Sequence, residues 1–268
     1  MSFDTAYYSI GRLDRLSYQD TVIHRLDPRV KVIATILFII TVISYPKYEV
    51  IALAPFFLFP VLLVSLGDIP VLFLLKKIVI VSPFAIFIGM FNPVFDRGTV
   101  LFLGRSLSAG WISYCSILLK FSLTISAALL LIATTSFPGV CHALRRFGLP
   151  ALFVSQLLFL YRYLFVLMEE TMRIVRARDM RSFGKRGSDA RTTVRIVGML
   201  FLRTVERAER IYSAMLSRGF SGDMPSMKRQ AIGGADLLFL VLTVAALAVF
   251  RLVPVPELIG RLLQGGRG

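Results

Sequence analysis

The stretch "ISYCSILLKFSLTISAALLLIATTS", residues 112–136, carries a single charge, Lys120, in an otherwise apolar or hydroxyl-bearing run. A helix needs roughly 20 mainly apolar residues to cross a bilayer, and this run is long enough. Working outward, comparable runs occupy Val30–Tyr45, Tyr48–Leu66, Val71–Met90 and Ala235–Val253. The first is short, and Lys76 and Lys77 sit at the start of the third. Ala151–Met168 is also apolar but leads directly into charge, which suits a membrane-surface helix better than a sixth span. Among 268 residues, 56% are hydrophobic and 18% charged, and the mean hydropathy is +0.73. These features predict an all-α polytopic membrane protein with about five transmembrane helices. The first thirty residues lack the apolar core of a cleavable signal peptide, and Cys115 and Cys141 form no disulfide framework.

Charge sets the orientation. The net charge is +15, and more than half of the 31 Lys and Arg residues fall between Phe137 and Gly234. Basic residues accumulate on the cytoplasmic side of membrane proteins, so this segment is expected inside. With the N-terminus inside, Gly67–Lys77 is an inside loop and Phe91–Ser108 an outside one. Three regions follow: an N-terminal membrane region, 1–136, with about four spans; a cytoplasmic or interfacial region, 137–234; and a C-terminal transmembrane helix and tail, 235–268. The same rule explains the charge without nucleic acid, for which no aromatic-interleaved basic motif is present.

The first span has a start signal in "HRLDPRVK", residues 24–31. Asp27 can cap the helix by accepting backbone N–H bonds, and Pro28 fits the first helical position. In the basic region two long helices are legible. Tyr161, Leu164, Met168, Met172 and Val175 form one apolar stripe; Val194, Val197, Phe201, Val205, Ala208, Tyr212 and Met215 form another. Glu169 with Arg173 and Glu206 with Arg210 are i,i+4 pairs in the favourable order. Gly184 and Gly219 are suited to end these helices, which leaves Arg178, Arg181 and Arg218 near the ends, where the helix dipole favours cations. A terminal Arg that projects past the helix can also fork onto a partner's carboxylate.

Other chemistry is missing from the sequence. No Gly-rich Lys loop for phosphates appears, and His24, His142 and the two cysteines have no metal-ligand spacing. No cofactor is therefore expected. A proton-coupled carrier would place ionisable groups at membrane depth. An intramembrane enzyme, the reading from a different class, would need a nucleophile or acid–base set there. Neither set can be assembled. Lys120 reads as a snorkelling or paired side chain as readily as a functional one. Pro55, Pro60 and Pro83 are expected to kink or break the second and third spans.

The chain resembles the transmembrane T component of energy-coupling factor (ECF) transporters, in particular the CbiQ-type cobalt transport permease. The resemblance runs through "HRLDPRVK", "TTSFPGVCHALRRFGLP" (134–150), "YRYLFVLMEETMRIVRARDMR" (161–181) and "RTVERAERIYSAMLSRGF" (203–220). It implies a non-catalytic subunit of an ATP-driven importer in the bacterial cytoplasmic (inner) membrane. Its partners would be two ABC-type ATPase subunits and a substrate-binding integral membrane subunit, with cobalt the implied substrate and nickel or a vitamin the alternative. Two coupling helices in that family each end in an Ala-Arg-Gly type signature that docks on an ATPase. Here the second signature is Ser217-Arg218-Gly219. The first is Ser182-Phe183-Gly184, with Phe in place of Arg, so its charge would come from Arg181 or Arg178.

Overall fold

The computed structural model describes residues 16–95, 98–102, 105–181, 190–222 and 232–252. Contacts among them separate two compact units, 16–136 with 232–252 and 137–222.

The first unit begins with α1 (Val22–Arg25) and α2 (Pro28–Ile43). Asp27 caps α2 as its sequence suggests: Oδ1 accepts from the Arg29 amide at 2.8 Å, and Pro28 opens the helix. After Tyr45 the expected second span is not one continuous α-helix. A 3₁₀ segment, Ile51–Phe57, contains Pro55 and passes into α3 (Leu58–Leu66). Next come α4 (Val71–Gly89), α5 (Asn92–Phe95) and a small antiparallel hairpin, β1 (Thr99–Phe102) with β2 (Arg105–Ser108). This hairpin lies in the expected outer loop and had no counterpart in the sequence reading. The long α6 (Ala109–Thr134) follows, and α10 (Gly234–Leu252) closes the unit.

Pro83 does not break α4. A proline there removes the amide that would bond the carbonyl four residues back, that of Val79. The Ser82 hydroxyl donates to this carbonyl at 2.9 Å and replaces the lost bond. Where α4 meets α6, Gly89 permits close approach. A Cβ built there would lie 2.8 Å from the Tyr114 ring.

The core joins α2, the 3₁₀ segment, α6 and α10. Phe38, Val42, Leu53, Phe56, Leu123 and Ala127 are fully enclosed. Phe38 stacks on Phe59 at 4.4 Å between centroids, and Phe56 meets Tyr45 and Phe250 edge-on. Lys120, the charge inside the longest span, donates to the backbone carbonyl of Tyr45, while the Tyr45 hydroxyl donates to the carbonyl of Phe250. Lys120 thus satisfies a carbonyl just past the end of α2, a structural use of a cation at a helix C-terminus.

The second unit holds α7 (Phe137–Arg146), α8 (Ala151–Arg181) and α9 (Ala190–Leu216). Phe137 of α7 stacks on Tyr161 of α8 at 4.6 Å. α9 returns antiparallel along α8: Arg203 pairs with Glu170, while Phe220, just past the end of α9, reaches back to Phe159. Among the described residues four helices, α4, α6, α8 and α10, are long and apolar enough to cross a membrane. α2 has 16 residues and is shorter.

Candidate functional site

The end of α9 is built by three backbone hydrogen bonds and one from a side chain. The Phe220 amide donates to Met215 O and the Gly219 amide to Leu216 O, both at 3.0 Å. Gly219 has φ +79°. These two bonds with a left-handed residue define a Schellman motif, with Gly219 at C′ and Phe220 at C″. The Arg218 amide donates to Met215 O and the Ser217 hydroxyl to Ser213 O, both at 3.0 Å. The signature Ser217-Arg218-Gly219 is therefore a rigid helix stop. It is anchored on the far side by Phe220 against Phe159, at 6.3 Å, and by the Ser155 hydroxyl donating to Gly222 O at 3.2 Å.

Arg218 itself is exposed. Among the described residues no hydrogen bond or ion pair engages its guanidinium, so all five of its donors remain available. The other signature differs. Ser182, Phe183 and Gly184 lie outside the described residues. Arg181 is the last residue of α8 and is exposed. Arg178 is engaged by its neighbour Asp179 at 2.6 Å. Of the candidate cations at this end, Arg181 is the freer.

The two helix ends do not form one patch. Phe220 lies beside Phe159, near the start of α8, whereas Arg181 ends that helix. At 1.5 Å per residue, the stretch from Phe159 to Arg181 covers about 33 Å. Between the ends, α8 and α9 border an open groove lined by Leu167, Glu170, Leu200, Arg203, Arg207 and Ile211. The bond across this groove, Arg203 to Glu170 at 2.9 Å, escaped the sequence reading because its members lie on different helices. Conversely, the expected Glu206–Arg210 ion pair does not form; both side chains are exposed. At such exposure an i,i+4 pair is worth only about 0.3–0.5 kcal/mol.

Among the described residues no group of three or more His, Cys, Asp or Glu side chains could hold a metal ion. Burial pushes the Cys141 thiol up to about 11, which keeps it protonated and makes it a poor ligand beside His142.

Residues 19–229 match the family model for CbiQ, cobalt transport protein. The chain belongs to this family of ECF-transporter T components. Among its relatives, the energy-coupling factor transporter transmembrane protein EcfT of Streptococcus thermophilus is 31% identical over 76% of this chain and 82% of its own length. The cobalt transport protein CbiQ of Rhodobacter capsulatus is 28% identical over 43% of this chain and 48% of its own. An uncharacterized protein of Methanocaldococcus jannaschii is 26% identical over 85% of this chain and 81% of its own. Together with its apolar helices, membership makes this CbiQ-type chain a multi-pass protein of the bacterial inner membrane.

Proposed function

We propose that this T component carries ATP-driven motion from two ABC-type ATPase subunits to a substrate-binding integral membrane subunit, in cobalt uptake. It acts as a scaffold and performs no catalytic step itself. The observation that carries the reading is Arg218: a guanidinium with free donors, held on a Schellman-locked helix end, is preorganised to fork onto a carboxylate of a partner. The separation of about 33 Å along α8 between this end and Arg181 favours one contact on each of two ATPases.

This reading requires α8 and α9 to lie at the cytoplasmic surface. Length and composition alone would let α8 cross a membrane. Yet α9 runs along α8, tied to it at Glu170–Arg203, and carries Arg191, Arg195, Glu206, Arg207, Glu209 and Arg210. Charges of this number cannot enter hydrocarbon, so α8 stays with α9 at the interface. The positive-inside rule then assigns both to the cytoplasm.

The decisive measurement is copurification with the ATPases. Truncating one member of a buried, hydrogen-bonded charge pair costs about 2–5 kcal/mol. Arg218→Ala should therefore release the ATPases or abolish ATP-coupled uptake. Arg218→Lys should restore only part, because a point charge lacks the bidentate fork. Arg181→Ala should be milder, since the first signature departs from the family pattern at Phe183. Wild-type behaviour of Arg218→Ala in both assays would overturn the proposal.

Cobalt rests on the description of the family and on relatives that carry the name. Nickel or a vitamin is the alternative, because relatives matched over more than four-fifths of their length carry the general coupling-factor name. Identifying the membrane subunit that copurifies with this chain decides between them.

A further inference from the structure

We infer that Asp27, Lys31 and Asp236 form a polar clasp that fixes the C-terminal end of α6, the point where the chain leaves the membrane unit for the coupling helices. The proposal rests on the scaffold reading and adds the residues that would hold the fixed side of its joint. α6 ends at Thr134, α7 starts at Phe137, and the boundary between the two compact units falls between residues 136 and 137. Thr135 and Ser136 are the covalent link from α6 to α7.

The last four carbonyls of a helix have no partner within it. At the end of α6 three of the four are taken. Thr135 N donates to Leu131 O at 2.9 Å, His24 Nε2 donates to Ala133 O at 3.2 Å, and Lys31 Nζ donates to Thr134 O at 2.8 Å. Lys31 is almost fully buried, at 4% exposure. An ammonium enclosed to that degree is costly unless neighbouring negative charge compensates it.

Two buried carboxylates, Asp27 and Asp236, act on the ammonium through their charge rather than by direct contact, and each has its own task. Asp236 accepts from the Asp27 amide through Oδ1 at 2.7 Å and from the Gly233 amide through Oδ2 at 2.8 Å. One carboxylate therefore joins the N-terminal ends of α2 and α10, although Asp27 and Asp236 lie 209 positions apart. Asp27 in turn caps Arg29. Negative charge sits at two positive helix ends, and positive charge sits at the negative end of α6, so every group agrees with the dipole it faces.

The geometry also says which substitutions break it. Both Asp236 oxygens accept from backbone amides. Asn offers one acceptor and one donor group, so Asp236→Asn must turn an NH₂ toward an N–H. Lys31→Met keeps the length of the side chain but leaves Thr134 O without its donor and removes the buried ammonium, while Arg29 stays paired with Asp27.

The test uses the full complex in nanodiscs and proteoliposomes, with Co²⁺ as the transport probe. Hydrogen exchange across residues 130–137 should quicken by about tenfold or more in Lys31→Met and in Asp236→Asn, because the α6 end is held locally. Lys31→Arg should stay near wild type in exchange. ATPase copurification should be retained in all three, while Co²⁺ uptake per ATP hydrolysed falls severalfold in the first two. Wild-type exchange in both Lys31→Met and Asp236→Asn overturns the clasp, as does loss of ATPase copurification from a folded Lys31→Met complex, which would give Lys31 a global role. If wild type moves no Co²⁺, the cobalt assignment fails while the exchange measurement still decides the clasp.

Discussion

The membrane unit and the coupling unit solve opposite problems. In the first, Phe38, Val42, Leu53, Phe56, Leu123, Ala127 and Leu130 are fully enclosed by the chain's own helices. In the second, buried side chains are few, among them Cys141, Ala143, Val154 and Ser155. α9 buries none of its described residues, and its stripe residues Val194, Val197, Phe201, Val205 and Tyr212 are exposed. A helix of this kind gains little from its own propensity and needs an apolar partner surface. The membrane unit encloses a core of its own; the second unit encloses almost none.

The sharpest way to break that comparison is to remove one ring from each unit. Phe38 is 0% exposed and Phe201 is 66% exposed. Phe38→Ala should cost about 3 kcal/mol, the low end for such a truncation, because the alternative environment is lipid rather than water. Phe201→Ala should leave the stability of the isolated chain within about 0.5 kcal/mol of wild type, as exposed substitutions do. Thermal unfolding in detergent reads both. Equal destabilisation by the two would end the distinction between a self-sufficient unit and one that depends on partners.

Arg218→Ala comes next in size, and its effect should fall on association rather than on folding. Gly219 sharpens the point at smaller scale. Its φ of +79° lies in the left-handed region, and a Cβ there would meet nothing within 4 Å. The penalty of Gly219→Ala is then backbone strain alone, about 1–2 kcal/mol. The strain should fray the end of α9 and weaken ATPase binding by about tenfold, roughly 1.4 kcal/mol, while the membrane unit melts as before. Unchanged ATPase affinity would show that the docking reaction does not need the Schellman lock.

The sequence was most informative where physics is local. "HRLDPRVK" announced the start of α2 because a cap and a first-turn proline act within a few residues. "SRGF" announced a helix stop for the same reason. It was least informative where partners are remote. The role of Asp236 appeared only when folding brought the Asp27 amide to it. Lys120 stood open between snorkelling and function until its contact with the Tyr45 carbonyl was visible. In the second span Pro55 and Pro60 pointed to a break, and the span is divided. Hydropathy could not say that the first part would be a 3₁₀ segment. Ala151–Met168 was ambiguous because its fate depends on the charges of α9, which packs along the same helix.

The smallest expected effect concerns the edge of the membrane unit. His24 donates through Nε2 to Ala133 O, and its Nδ1 lies 2.7 Å from the Thr21 hydroxyl, so the neutral imidazole uses both nitrogens. Burial lowers its pKa from the usual 6.5; the bond to the Ala133 carbonyl opposes this, the Lys31 ammonium adds to it, and Asp20 opposes it more weakly. A depressed value means the folded state prefers the neutral ring. Its contribution to stability is therefore complete above pH 6.5 and declines as pH falls through that value toward the lower folded one. His24→Gln keeps an amide donor for the Ala133 carbonyl but does not titrate. The variant should flatten the loss of thermal stability between about pH 7 and 5, the window of an imidazole, while matching wild type at pH 8. A parallel pH slope in variant and wild type would assign the acid sensitivity to other groups. It would leave His24 as a simple cap on the end of α6.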